Sequence, residues 1–233
     1  MAITPCLAMT AAEYAFCENR PHSIAWMACH FSPYSTGLSN LPEELPPGSV
    51  LCLNDRTPIC GHDPILIAGQ LEQCMDRFQC SALLLDLQRW PCEETERFLE
   101  VLLEALTCPP VLTAHWAEKF TCPVFLPPCP LHRPLEAHIK PWSGRDLWLE
   151  LERSGETLVL SADGCQESVL NPRELPESGM QDRTLNCSYD IEILPDCARF
   201  RLWRSRKNLS DFLEEAENLG VSGTLGLYQE FGS

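Results

Sequence analysis

The sequence predicts an α/β fold: a compact, degenerate (β/α)8 barrel of the TIM type carrying an inserted β-hairpin. Three observations predict it. Short, nearly continuous apolar runs recur along the chain, amphipathic helical stretches fall between several of them, and the 233 residues come close to the roughly 250 that such a barrel uses. Apolar runs without alternation mark strands covered on both faces, and strand–helix alternation marks a parallel sheet. An open doubly wound sheet is the alternative arrangement of the same elements. The expected organisation is one barrel domain over 1–233, with 1–22 as an N-terminal extension and 147–186 as the hairpin and a surface excursion.

Thr10-Ala-Ala-Glu13 has the form of a capping box, which opens a short helix running to about residue 18. Apolar runs follow at 23–31, 50–56, 82–89, 111–115, 123–126, 147–151, 198–203 and 223–228. Asp63-Pro64 pairs a cap residue with proline at the first helical position, and Ile67, Leu71, Cys74, Met75 and Phe78 then share one helical face. Phe98, Val101, Leu102 and Ala105 make a second face, and Leu209, Phe212, Leu213, Ala216 and Leu219 a third, closed by Gly220 as a C-terminal cap. Two features strain the count of eight. The link 116–122 is too short for a full crossover helix, and 35–48 is rich in proline. The segments 147–151 and 157–161 flank Glu152-Arg-Ser-Gly-Glu156 and read as the hairpin. Residues 162–186 are polar and read as a long surface loop.

Composition bounds the partners. Seventeen Lys and Arg against 33 Asp and Glu leave a formal charge of −16, which argues against a nucleic-acid backbone or an anionic membrane. No apolar stretch reaches the roughly eighteen residues of a membrane span. The fourteen cysteines include no C-x-x-C pair and no zinc-finger spacing, and many sit inside apolar runs. They read as small buried hydrophobes in a reducing cytoplasm rather than as a disulfide framework or a metal site. No P-loop, G-x-G-x-x-G, G-x-S-x-G or H-E-x-x-H occurs, and no cofactor is expected.

In a barrel, the chemistry sits where strands end and loops begin. Those positions hold His30, Asp55 with Arg56, Asp86 with Gln88 and Arg89, His115, Arg204, and Tyr228-Gln229-Glu230. Asp55, Asp86 and Glu230 form the candidate catalytic set, because paired carboxylates are the minimum for acid–base hydrolysis. Arg56, Gln88, Arg89, His30, His115, Arg204, Tyr228 and Gln229 are the candidate ligand-binding set. Arg204-Ser-Arg-Lys207 leads into a helix, an arrangement suited to an anion. Trp90 and Trp116 fall just past strand ends, where an aromatic face can stack on a sugar.

The stretch 81–89, Ser-Ala-Leu-Leu-Leu-Asp-Leu-Gln-Arg, resembles the fourth strand of chitinase-type, family 18 glycoside hydrolases, whose motif is D-x-x-D-x-D-x-E. The resemblance implies a (β/α)8 barrel in which the final Glu protonates the leaving oxygen and the Asp before it orients the substrate amide. Asp86 matches that Asp, whereas Leu84 replaces the preceding one and Gln88 stands where the acid belongs. Glutamine has no proton to give, so the resemblance favours a sugar-binding relative over an active chitinase. The expected ligand is a small molecule, a sugar or an anionic metabolite, and the alternatives are a non-catalytic interaction protein or an enzyme on a phosphorylated or carboxylated metabolite.

Overall fold

The computed structural model describes residues 4–17, 21–153, 155–170, 175–176 and 178–231. They pack into two compact units, one holding 4–127, 144–150 and 223–231, the other 128–143 with 151–222.

The first unit carries the barrel. Its strands in chain order are β1 (Cys6–Met9), β2 (Ile24–Phe31), β4 (Val50–Asn54), β5 (Ala82–Asp86), β6 (Val111–Thr113), β7 (Val124–Leu126), β8 (Leu147–Leu151) and β14 (Val221–Leu227), with β3 (Leu38–Ser39) added antiparallel to β2. The eight neighbour one another in that order, and β1 pairs in parallel with both β2 and β14, which closes the ring. The closed parallel barrel expected from the apolar runs is therefore present, and the open doubly wound sheet is excluded.

Seven of the expected runs are barrel strands, and two expectations need correction. The segment 1–22 is more than an extension: Cys6–Met9 is the first strand of the barrel. The run at 198–203 is not a barrel strand. It lies in β13 (Cys197–Trp203), part of a five-stranded antiparallel sheet inserted in the chain between β8 and β14. The physical reason is legible in Ala-Arg-Phe-Arg-Leu-Trp, whose alternation of charged and apolar residues suits a sheet with one polar face. Replacing one strand and gaining another moves Ala82–Asp86 from the third run to the fourth barrel strand.

Inside the closed ring, one apolar cluster draws on every strand. Ala8, Ala25, Val50, Cys52, Leu84, Val111, Phe125 and Leu225 are buried in it, with Cys6, Met27, Ala82 and Trp148 packed alongside. Small residues on β1, β2 and β4 leave room for Phe125 and Trp148, so the lumen is a filled core. Gly223 is part of that fit, because a Cβ there would lie 2.6 Å from the indole of Trp148. The opposite faces of the strands bury Leu51, Leu53, Leu83, Leu85, Leu147 and Leu149, which is why these runs do not alternate.

Helices α2 (Pro64–Phe78) and α3 (Glu93–Ala105) supply the cover. Asp63 caps α2 through its Oδ1, which accepts from Ile65 N at 2.9 Å and Leu66 N at 3.3 Å. Ile67, Ala68, Leu71 and Cys74 are its buried face, and Phe98, Leu99 and Leu102 that of α3, whereas the expected Val101 points toward solvent. The capping box at Thr10 forms as expected and opens α1 (Ala11–Phe16). The crossover between β6 and β7 is only α4 (Ala114–Ala117), and no helix occupies 35–48. Both strained links thus appear as shortened crossovers.

In the second unit, α5 (Leu135–Ile139) and one turn of 3-10 helix precede the inserted sheet, ordered β10 (Gly164–Leu170), β9 (Gly155–Ser161), β13, β12 (Cys187–Ile193), β11 (Met180–Asp182). The hairpin expected between 147–151 and 157–161 does not form. β8 pairs within the barrel, and β9 pairs with β10 and β13. The polar segment 162–186 supplies β10 and β11. Leu131, Cys187 and Leu202 bury one face of the sheet, and Arg199–Glu192 and Arg201–Asp190 ion pairs cross the other. Helix α6 (Arg206–Asn218) starts three residues before the expected Leu209, with Ser205 as its cap. Gly220 follows at φ 82°, the left-handed turn that glycine enters without strain.

Replacing Gly223 with Ala should push Cβ against Trp148 and cost about 1–3 kcal/mol, the usual range for overpacking. A lowered urea midpoint at unchanged m-value is the expected result.

Candidate functional site

The strand period of two decides what lines the barrel mouth. On β5, Ala82 and Leu84 face the lumen, so Asp86, two residues on, faces it too. On β8, Trp148 faces the lumen, and so does Glu150. Around the same axis a shallow space of about 70 Å³ is lined by Ala8, Met27, Asp86, Gln88, Phe125 and Glu150, with Leu84 and the 225–227 backbone segment completing it. Glu150 was not among the expected site residues. Its signal is in Leu-Trp-Leu-Glu-Leu: an acid in step with a lumen-facing Trp, hidden by reading the run as a hairpin arm.

Asn54 is the neighbour of Asp86 in the β4–β5 register. Its Nδ2 donates to the carbonyls of Met27 and Cys29, at 3.0 Å each, where the β2–β4 register shifts between Trp26 and Cys29. The Asn54 side chain thus ties β4 to β2 across the irregularity.

The three expected carboxylates do not converge. Asp86 alone lines the space. Asp55 is only 5% exposed and holds the next loop, its Oδ1 accepting from Gln88 N at 3.1 Å and its Oδ2 from Arg89 N at 2.8 Å. The Arg89 guanidinium completes the clamp by donating to the carbonyl of Asp55 at 3.0 Å and that of Arg56 at 3.3 Å. Glu230 sits on α7 (Tyr228–Phe231), outside the lining.

The expected ligand-binding residues separate in the same way. Gln88 lies in the mouth, and its amide Nε2 donates to Asp86 Oδ1. His115 follows β6, with its Nε2 buried and lacking a hydrogen-bond partner, and its ring is 5.7 Å from that of Trp90. His30 is engaged elsewhere, its Nδ1 against the carbonyl of Phe31 and its Nε2 3.2 Å from Asn40 Nδ2. Tyr228 and Gln229 join α7 to the N-terminal segment, through Cys17 at 3.4 Å and Glu13 at 2.8 Å. Arg204 belongs to the inserted unit. It is 6% exposed, donates to the carbonyl of Cys129 at 3.1 Å and lies over the ring of Phe212. Of the strand-end arginines, Arg56 is exposed, Arg89 is held in the loop clamp, and Arg204 is a core residue of the other unit. Trp116 is 1% exposed and packs as core, whereas Trp90 is 83% exposed.

Electrostatically the centre of the mouth is Asp86. Burial pushes its carboxyl up, the Asp55 charge adds to the rise, and the Gln88 amide and the His115 charge pull the other way. No group of three or more His, Cys, Asp or Glu among the described residues could hold a metal ion.

No protein-family model matches the chain, and no curated protein does. Solved structures do. A glycoside hydrolase family 18 N-acetylglucosaminidase from Paenibacillus barengoltzii superposes at TM-score 0.61 with 8% identity, covering 99% of this chain and 95% of that one. The spore cortex-lytic enzyme SleL of Bacillus cereus gives 0.58 at 8% identity over 96% and 70%. A mutant family 18 chitinase from Cycas revoluta, in complex with (GlcNAc)4, gives 0.53 at 10% identity over 97% and 94%. At these identities the likeness is one of fold: the barrel is built like those of chitinase-type glycoside hydrolases.

Two outcomes follow for the mouth. Asp55→Ala leaves two backbone N–H groups without their charged acceptor and should cost about 3 kcal/mol, with faster amide exchange confined first to 87–90. Asp86→Asn should raise stability at pH 7. A carboxyl whose folded pKa is raised contributes stability that is complete below its unfolded pKa and lost as pH rises through the folded one. The gain of the Asn variant should therefore shrink as pH falls toward 4, which thermal melts across that range would record.

Proposed function

We propose that the protein binds carbohydrate at the barrel mouth without cleaving it by the general-acid route. One observation carries this reading. At the end of the fourth barrel strand, the position that the chitinase motif gives to the acid is Gln88, whose amide is bonded to Asp86. An amide can hold a sugar hydroxyl or N-acetyl group and cannot protonate a leaving oxygen. The ligand class follows from the neighbours in fold, two of which are named for N-acetylglucosamine or its oligomer.

The reading extends to a reducing, cytoplasmic setting. It is supported by the use of Cys29, Cys52, Cys74, Cys122, Cys129 and Cys187 as buried small residues. No described helix is long and apolar enough to cross a membrane.

A second reading, slow hydrolysis, is favoured by the raised Asp86 carboxyl sharing its space with Glu150. Two carboxyl groups in one mouth are the minimum for acid–base attack on a glycosidic bond. The two readings separate in one experiment, in which the chain is titrated calorimetrically with N-acetylchitooligosaccharides and the same mixtures are assayed for reducing ends. Binding without release of product is the expected result. Product formation that disappears in both Asp86→Asn and Glu150→Gln would establish the second reading, and absence of any heat with sugar would overturn both. Gln88→Glu should in addition create or raise turnover if the fourth-strand geometry is that of the family.

A further inference from the structure

The loop that Asp55 clamps ends in an aromatic side chain turned to solvent. Single exposed apolar residues are ordinary on protein surfaces; Trp90 differs in how it is held. On its N-terminal side Gln88 N and Arg89 N are tied to the Asp55 carboxylate. On its C-terminal side Cys92 N donates to Thr95 Oγ1 at 3.0 Å, at the start of α3. The His115 ring stands 5.7 Å from the indole centroid. The backbone is therefore fixed on both sides of a ring that is 83% exposed. A pre-ordered aromatic gives up little conformational freedom when it meets a partner.

What meets it is set by its surroundings. Gln88, with its amide on Asp86, lies two residues away along the same clamped loop, a Cα–Cα span of at most roughly 7 Å. The inner space of about 70 Å³ is far below the roughly 300 Å³ at which ligand pockets begin. A sugar ring therefore lies across the rim instead of descending into the barrel. The axial C–H face of a pyranose is apolar and slightly positive and matches the negative face of an indole.

From this placement the geometry points to a second saccharide subsite: Trp90 stacks the ring next to the one held by Asp86 and Gln88. The protein then recognises a chain of at least two sugar units over a single sugar. This inference rests on the carbohydrate-binding reading above and adds the length of the ligand to it.

Calorimetry with N-acetylglucosamine and with (GlcNAc)4 on the full chain, on Trp90→Phe and on Trp90→Ala tests it. The wild type should bind the tetramer at least about tenfold more tightly than the monomer, the size expected of one aromatic anchor. Trp90→Ala should reduce that ratio about tenfold, and Trp90→Phe should retain most of it. Thermal midpoints of the three proteins should coincide, because the side chain is exposed. A wild type that binds the two sugars alike, or a Trp90→Ala protein with an unchanged ratio, overturns the subsite while leaving the carbohydrate reading intact. A wild type that binds neither sugar overturns that reading itself, and the subsite with it.

Discussion

Four residues close the barrel. Cys6–Met9 pairs with β14 on one side and β2 on the other, and without that double pairing β2 and β14 would each present an unpaired edge. Closure also decides what is inside. Once the ring is shut, alternate residues on all eight strands face one another across a short distance, and their volumes must sum to the space available. Ala8, Ala25 and Cys52 are small where Phe125 and Trp148 are large, and Gly223 yields its side chain altogether. The same alternation that fills the lumen places Asp86 and Glu150 one step above it. The candidate site is the top of the core packing, continued by two acids.

The loops then decide how the site is used. Asp55 shows why a residue type in the right place is not yet a role. An acid at the end of a barrel strand can face the mouth or turn back to tie down a loop, and the two backbone bonds it accepts assign it to the second. What the clamp displays is Gln88 and Trp90. Asp55 holds the backbone on which the Gln88 amide and the Trp90 indole are carried, and the proposed sugar contact rests on that loop.

Much of the fold was legible in the sequence because burial on both faces leaves an unbroken apolar run. Residues 50–54, 82–86 and 124–126 are strands for that reason. The first strand escaped because Cys6–Met9 is short and follows Pro5, with no apolar run long enough to stand out. Residues 198–203 match the barrel strands in length, but the alternation of Arg199 and Arg201 with apolar residues describes a sheet with a polar face. The site was legible in part. Asp86 and Gln88 are carried by local sequence, but nearness to a strand end does not say which way Asp55 or Glu230 turns, nor, for Arg204, whether the preceding strand belongs to the barrel. The strand count bears on Arg204 alone, which follows β13 and so lies outside the barrel unit, and with Cys6–Met9 as the first strand the chitinase-like stretch is on the fourth, where its resemblance requires it to be.

The buried cysteines of the barrel strands, Cys52 toward the lumen and Cys29 toward α2, have a consequence for how this protein meets oxidants and alkylating agents. Burial pushes the Cys29 thiol up to about 12 and that of Cys52 well above the ordinary range, so neither offers a thiolate while the barrel is shut. Cys60, Cys92, Cys108 and Cys165 lie at the surface. Thiol-directed reagents thus find two populations in one chain, an outer one that reacts from the native state and an inner one that reacts only when a strand or its covering helix comes away. The rate at which the inner thiols become reactive is a direct clock for opening of the barrel, written into the polypeptide without any added label.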